Sequence, residues 1–183
     1  MGSVYMNWYV LFAMTGYEHQ LAGVISRIWR IDGLRPFVPM YDSRFRKSGS
    51  ILEEKKRLIP GYVFLESKAD SLEFYSLVRP LIWQTEKALK LLRYGRTSDD
   101  FRFDMKAADC EFLQKFFNDE YCVEMSQGYM EGNSVIITDG PMVGREGIIK
   151  RLYRRKMEAV VEAPFMGTIR QMTVGLEIVK KME

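Results

Sequence analysis

The sequence predicts an α+β chain in two bodies joined by a short connector. Three observations carry this. Residues 1–117 interleave amphipathic stretches with short runs rich in β-branched and aromatic residues. Residues 128–183 hold five short β-prone runs separated by turns, at 135–138, 147–153, 157–163, 167–173 and 176–179, the pattern of a small barrel. Between the two, residues 118–127 show no period and carry three acidic side chains and no basic one.

In chain order, Asn7 to Thr15 reads as a buried strand ended by Gly16. From Tyr17 to Ile31 the apolar positions Tyr17, Leu21, Val24, Ile25, Ile28 and Trp29 mark one face of a helix, with Gly33 as its far cap and His19 on the polar side of its first turn. Pro36 to Lys47 is extended because its two prolines exclude a helix, Ser48-Gly49-Ser50 turns, and Ile51 to Ile59 runs back. The expected hairpin sets Arg44, Arg46 and Lys47 opposite Lys55, Lys56 and Arg57. Those cations face either water, as a solubilised edge, or a phosphate backbone.

After the Pro60-Gly61 turn, Tyr62 to Leu65 is a short apolar strand. Asp70 caps a second helix with Glu73 at its third position, and Pro80 ends that helix near Arg79. A strand is expected over Leu89–Arg93, stopped by Gly95. Asp104 is expected to cap a third helix reaching Asn118, with Ala108, Phe112, Leu113, Phe116 and Phe117 as its apolar face.

Composition narrows the function. With 47% hydrophobic and 28% charged residues the chain is globular, and its net charge of +3 suits contact with nucleic acid inside a larger assembly. No apolar run approaches the roughly 18 residues of a membrane span. The absence of a charged and then apolar leader predicts a cytoplasmic protein with Cys110 and Cys122 reduced. One histidine, no glycine-rich phosphate loop and no metal-ligand spacing argue against an enzyme, a metal site or a cofactor.

The densest chemical signal is Lys150 to Lys156, seven residues with five cations and no acid. Cations on and just after a strand, with Tyr153 among them, suit RNA contact. Strand alternation forbids all five from sharing a face unless the following turn swings some round, so the expected patch joins Lys150, Arg154, Arg155 and Lys156, with Arg170 reaching it and Arg151 beside it. The stretch that contains this run, Asp139-Gly140-Pro141 followed by Gly144, Gly147 and Ile149 between apolar strands, resembles the KOW motif of ribosomal proteins and transcription factors.

The first body adds a second likeness. Trp8-Tyr9-Val10, Gly16-Tyr17-Glu18, Pro60-Gly61-Tyr62-Val63-Phe64 and Val78-Arg79 stand in the order of the NusG N-terminal domain, the NGN domain. The resemblance implies residues 5–117 as a four-stranded, mainly antiparallel NGN sheet with flanking helices, 118–127 as linker, and 128–183 as a five-stranded, src-homology-3-like KOW barrel. It implies a monomeric bacterial factor that docks onto the clamp helices of the RNA polymerase large subunit. Phe12, Pro60, Tyr62 and Phe64 are the expected docking residues. His19, Arg79 and the hairpin cations Arg44, Arg46, Lys47, Lys55, Lys56 and Arg57 are expected along a DNA or RNA backbone, non-template DNA included.

Pro80 and Leu81 stand where relatives that read non-template DNA carry polar residues. The run Arg154-Arg155-Lys156 is more basic than a barrel that recruits proteins requires. Together these resemble a specialised NusG paralog of the LoaP type, a processive antiterminator that reads an RNA hairpin in a leader transcript. The alternative implied by the same family is a general elongation factor whose barrel recruits a ribosomal protein or a termination factor.

Overall fold

The computed structural model describes residues 6–94 and 101–179. They form two compact units: the chain up to Val38 together with Ile59–Cys110, and Pro39–Leu58 together with the chain from Glu111 onward.

The first unit is built on β1 (Asn7–Ala13), at the centre of a four-stranded sheet of order β2-β5-β1-β6, with β2 Arg35–Phe37, β5 Tyr62–Ser67 and β6 Ala88–Leu91. β1 pairs antiparallel with β5, bringing Val10 opposite Phe64 and Phe12 opposite Tyr62. α1 (Glu18–Ile28) buries Glu18, Leu21 and Ile25. The fully buried Glu18 carboxylate accepts from the Gly16 N–H at 3.0 Å and the Gly61 N–H at 2.7 Å, tying two turns together. Gly61 sits at φ +87°, a conformation costly for any residue with a Cβ.

α2 spans Ser71–Gln84, and the Asp70 side chain accepts from the Leu72 and Glu73 N–H groups at 3.0 and 2.9 Å, as expected of that cap. The helix does not end at Arg79. It runs through Pro80 because Phe74, Val78 and Ile82 are buried at i, i+4, i+8, so the apolar stripe continues past the proline and outweighs the lost N–H bond of about 3 kcal/mol. Phe74 stacks on Tyr9 with ring centroids 3.7 Å apart. The glycine expected to end β6 lies outside the described residues.

Asp104 is not a helix cap. It forms an isolated bridge with Tyr9 and takes the Arg102 guanidinium, and α3 covers only Ala107–Gln114. Ala108, expected on its apolar face, is exposed, whereas Leu113 and Phe116 are buried.

The second unit holds a curled five-stranded sheet of order β10-β11-β12-β8-β9: β8 Ser126–Glu131, β9 Ser134–Asp139, β10 Ile149–Tyr153, β11 Glu158–Phe165 and β12 Thr168–Ile178. The α+β class and the five-stranded C-terminal sheet agree with expectation. Two details differ. The runs at 167–173 and 176–179 are one strand, β12, and β8 was not foreseen. β12 stays continuous through Gly175, where an added Cβ would meet the Asp42 carbonyl oxygen and the Met125 sulfur, each at 2.2 Å. Glycine weakens a strand in isolation, but here only its bare Cα fits.

A second, three-stranded sheet of order β4-β3-β7 completes this unit. β3 (Met40–Lys47) and β4 (Ser50–Arg57) form the expected hairpin, and β7 (Cys122–Val123) pairs parallel with β3. The hairpin, expected with the first 117 residues, thus belongs to the compact unit of the C-terminal sheet. The stretch 118–127 is not contact-free: Cys122, Val123 and Ser126 are buried, and the Asn118 side chain accepts from the Glu120 and Cys122 N–H groups. Its apolar pair Cys122-Val123 is what a sequence scan for charge overlooks.

Candidate nucleic-acid interface

The basic run lies on β10 and a 3₁₀ turn, Arg154–Lys156. A β-bulge does what the alternation argument required of the turn. The register with β11 shifts between Ile149, opposite Val161, and Arg151, opposite Val160. One extra residue on a strand reorients the side chains that follow. Lys150 and Arg151 are accordingly both exposed, as are Arg154, Arg155 and Lys156. The turn closes on Met157, buried and left-handed at φ 51°, which anchors the run.

These cations are not equivalent. Lys150 pairs with Glu162 at 3.2 Å, and Lys156 lies over the Tyr153 ring at 5.6 Å. Among the described residues, Arg151, Arg154 and Arg155 make no ion pair, so their guanidinium forks are open to a ligand. Arg170 does not join them. It stands opposite Ala163 and lies over the Phe165 ring at 5.5 Å, on the face of the sheet that Ala163 and Phe165 bury, whereas Glu162, the partner of Lys150, points to the other face.

The hairpin cations are largely engaged by acids. Arg44 stands opposite Glu53, not opposite a cation, and pairs with it at 2.8 Å and with Glu177 at 3.2 Å. Lys55 stands opposite Asp42 and pairs with Glu120 at 2.9 Å. Lys56 pairs with Glu54 at 3.2 Å and Glu158 at 3.0 Å. Desolvation lowers the Lys56 pKa, but its hydrogen bonds to the Glu158 and Glu54 carboxylates outweigh that and leave it raised. Arg57 is half-buried. Arg46 and Lys47, at the exposed tip beside the turn, have no ion pair among the described residues. The like-charge facing expected of this hairpin is absent because the register interleaves acid with base, the stabilising cross-strand arrangement.

Glu158 is the hub of that hairpin's attachment. It is buried, and one of its oxygens, Oε1, accepts from the Tyr41 hydroxyl at 3.2 Å, the Ser43 hydroxyl at 3.2 Å and Lys56 Nζ at 3.0 Å. Burial, then the Glu158 carboxylate, pushes the Tyr41 hydroxyl well above its ordinary range. Beside it, burial and Asp42 push the Cys122 thiol up to about 12.

In the first unit, Phe12 and Tyr62 face each other with ring centroids 5.4 Å apart. Phe12 is half-buried and Pro60 exposed. Phe64 has no exposed surface; Trp8 and Phe37 enclose it at 5.9 and 5.3 Å. It therefore stands apart from the exposed anchor expected of it. Tyr62 too is buried, at 9% exposure, rather than the partly exposed anchor expected of it; Phe12 and Pro60 are the more open members of the group. His19 is exposed on the first turn of α1.

Arg79 lies over the Trp83 ring at 5.3 Å. Ending α2 at Arg79 hid this pair, since Trp83 follows at i+4 only if the helix continues through Pro80. A tryptophan four residues after an arginine was the signal available.

No curated protein matches the sequence. Among solved structures, the chain is similar to Thermotoga maritima NusG, described for its domain interaction, at 20% identity and a TM-score of 0.48, with 96% of each chain covered. The family described as transcription termination factor NusG matches residues 6–100, which run from just before β1 past β6 and take in the β3–β4 hairpin. That match spans more than half of the 183 residues, and the chain belongs to the NusG family of transcription factors.

Proposed function

We propose that this protein is a transcription elongation and antitermination factor of the LoaP type, which binds RNA polymerase through its first unit and a leader-transcript hairpin through the basic run of its second. The observation that supports the RNA reading is the exposed segment Lys150–Lys156, in which Arg151, Arg154 and Arg155 are free of carboxylates among the described residues. Regular A-form RNA hides its bases in a deep groove, so a rigid turn presenting guanidinium forks suits a bulge, loop or distorted stem. Arg154 and Arg155 read guanine edges in this proposal; Lys156 and Lys150 neutralise phosphate. Arg170 is left out of the patch because of its place over Phe165.

Polymerase docking is assigned to the Phe12–Tyr62 pair with Pro60, the partner being the clamp helices of the large subunit. Phe64, enclosed by Trp8 and Phe37, is left out of the docking set. Of the hairpin cations, Arg46 and Lys47 remain available to a DNA or RNA backbone.

The test is a gel shift of the full chain against its own operon's leader RNA, with scrambled RNA as control. Arg154→Ala or Arg155→Ala should lose about 1–3 kcal/mol for the cognate hairpin and relax sequence preference. Lys156→Ala should weaken all RNAs alike and shallow the salt dependence by about one unit. Wild-type affinity after all three changes would return the protein to the general role, with a barrel that recruits a protein.

A further inference from the structure

The basic turn closes on a carboxylate. Tyr153 opposite Glu158 is the last rung of the β10–β11 ladder, and Arg154 to Met157 form the loop beyond it. Glu158 lies on the outer face of the sheet with Val160 and Glu162, yet those two are half-buried and Glu158 keeps only 8% exposure. The β3–β4 hairpin is what covers it. Tyr41 stands opposite Lys56 and Ser43 follows two positions on, so the three side chains share one face of the hairpin. All three donate to Glu158 Oε1. β3 also packs against the 3₁₀ turn itself.

The turn needs such support. Its own bond, from the Met157 N–H to the Arg154 carbonyl, is 3.2 Å long, and 3₁₀ geometry is poor in any case. Met157 is left-handed at φ 51°, a conformation that a residue with a Cβ adopts at a cost. The Met157 carbonyl accepts from the Leu176 N–H at 2.9 Å, and the next residue, Glu158, is held by the hairpin. Release of that end would let the loop relax.

We infer that Tyr41, Ser43 and Glu158 are positioning residues for the RNA-reading turn: the hairpin fixes the guanidinium forks of Arg154 and Arg155, and so sets discrimination between RNAs rather than bulk affinity. This rests on the RNA reading proposed above for that turn. Two kinds of contact differ in what they demand. A phosphate accepts a cation from many directions and tolerates a loose turn. A guanine edge takes a bidentate fork, whose geometry must be held closely. Tyr41 and Ser43 keep 5% and 1% exposure and carry no charge. Their loss therefore leaves the field at the turn unchanged and removes only its hold. Lys56 is unsuited to the test, because its charge would weaken RNA binding by itself.

The experiment compares the full-length protein with Tyr41→Phe, Ser43→Ala and the double variant, at a temperature where thermal melts show each to be folded. Gel shifts against its own operon's leader RNA and a scrambled RNA give the discrimination ratio. In the double variant that ratio should fall about tenfold through weaker binding of the leader RNA alone. Affinity for scrambled RNA and the slope of affinity against salt should stay at the parent's values, which a merely destabilised protein has no reason to show. Glu158→Gln keeps an acceptor for both hydroxyls and should retain most of the ratio. Without RNA, trypsin should cut after Arg154 or Arg155 several-fold faster in the double variant. A parent-like cleavage rate, an unchanged ratio, or an equal loss for both RNAs would overturn the positioning role. A parent that binds both RNAs alike would overturn the RNA reading and this inference with it, and the cleavage rate tells the two failures apart.

Discussion

The Tyr41 hydroxyl donates to Glu158 at 3.2 Å across 117 positions of sequence. That bond, with those from Ser43 and Lys56 to the same oxygen, fastens the β3–β4 hairpin to β11. Replacing Glu158 by Ala would strand two buried hydroxyls and remove a charge partner of Lys56. Denaturant melts should show a loss of about 3 kcal/mol. Glu158→Gln keeps an acceptor and should lose less than half as much. Equal losses would mean that the charge, not the acceptor, does the holding.

High pH should weaken the fold. Tyr9, Tyr41 and Tyr94 all have hydroxyls raised above their ordinary value of 10.0, chiefly by burial. A raised pKa means the folded state keeps a proton that the unfolded chain releases first. The associated stability is whole below about pH 10 and falls as pH rises past the unfolded value. The raised Lys56 acts in the same direction. Thermal midpoints should therefore decline above about pH 10, and Tyr41→Phe should decline less steeply than the parent.

Phe64 and Tyr62 should separate under mutation. Phe64→Ala empties the space between Trp8 and Phe37 and should cost about 3–5 kcal/mol of folding stability. Tyr62→Ala removes the more buried ring of the Phe12 pair, at the edge of the core rather than between Trp8 and Phe37. It should fold, yet lose about 2 kcal/mol or more of polymerase affinity in a pull-down titration. If Tyr62→Ala unfolds the protein, its anchor role is wrong.

Cys122 should be inert toward thiol reagents in the native state. Its thiol is buried, lies 3.4 Å from Asp42 and has its pKa pushed up to about 12, so almost no thiolate exists near neutrality. Quantified labelling at pH 8 should reach Cys122 only when denaturant is added. Fast native labelling there would show that β7 detaches from β3.

Limited proteolysis should not nick cleanly within 118–127. Cutting needs backbone that can leave its partners, and here Cys122 and Val123 pair with Met40 and Tyr41. Early cleavage between Asn118 and Gln127 would return that stretch to a connector.

Local signals were legible and long-range ones were not. The Asp70 cap follows from four adjacent residues and stands where the sequence places it. The apolar stripe Leu21–Ile25 likewise defines α1. Pro80 misled because its helix is decided by what Ile82 packs against, not by its neighbours in sequence. Arg44 reads as part of a cationic arm until pairing sets Glu53 across from it. Arg170 reads as part of the basic patch until its register with Ala163 sends it to the buried face. The exposed run at Lys150–Lys156 was visible, since five charges in seven residues have nowhere to hide, but the bulge that orients it was not.

The division of the second unit has a consequence in time. Pro39–Leu58 is synthesised early, yet Lys56 waits 102 residues for Glu158. At the ordinary pace of translation that gap is roughly 5 to 20 s. A bare two-stranded ribbon left in water for that long invites other edges to pair with it. The four consecutive charges Glu53, Glu54, Lys55 and Lys56 along β4 therefore guard the nascent chain before they hold the finished one.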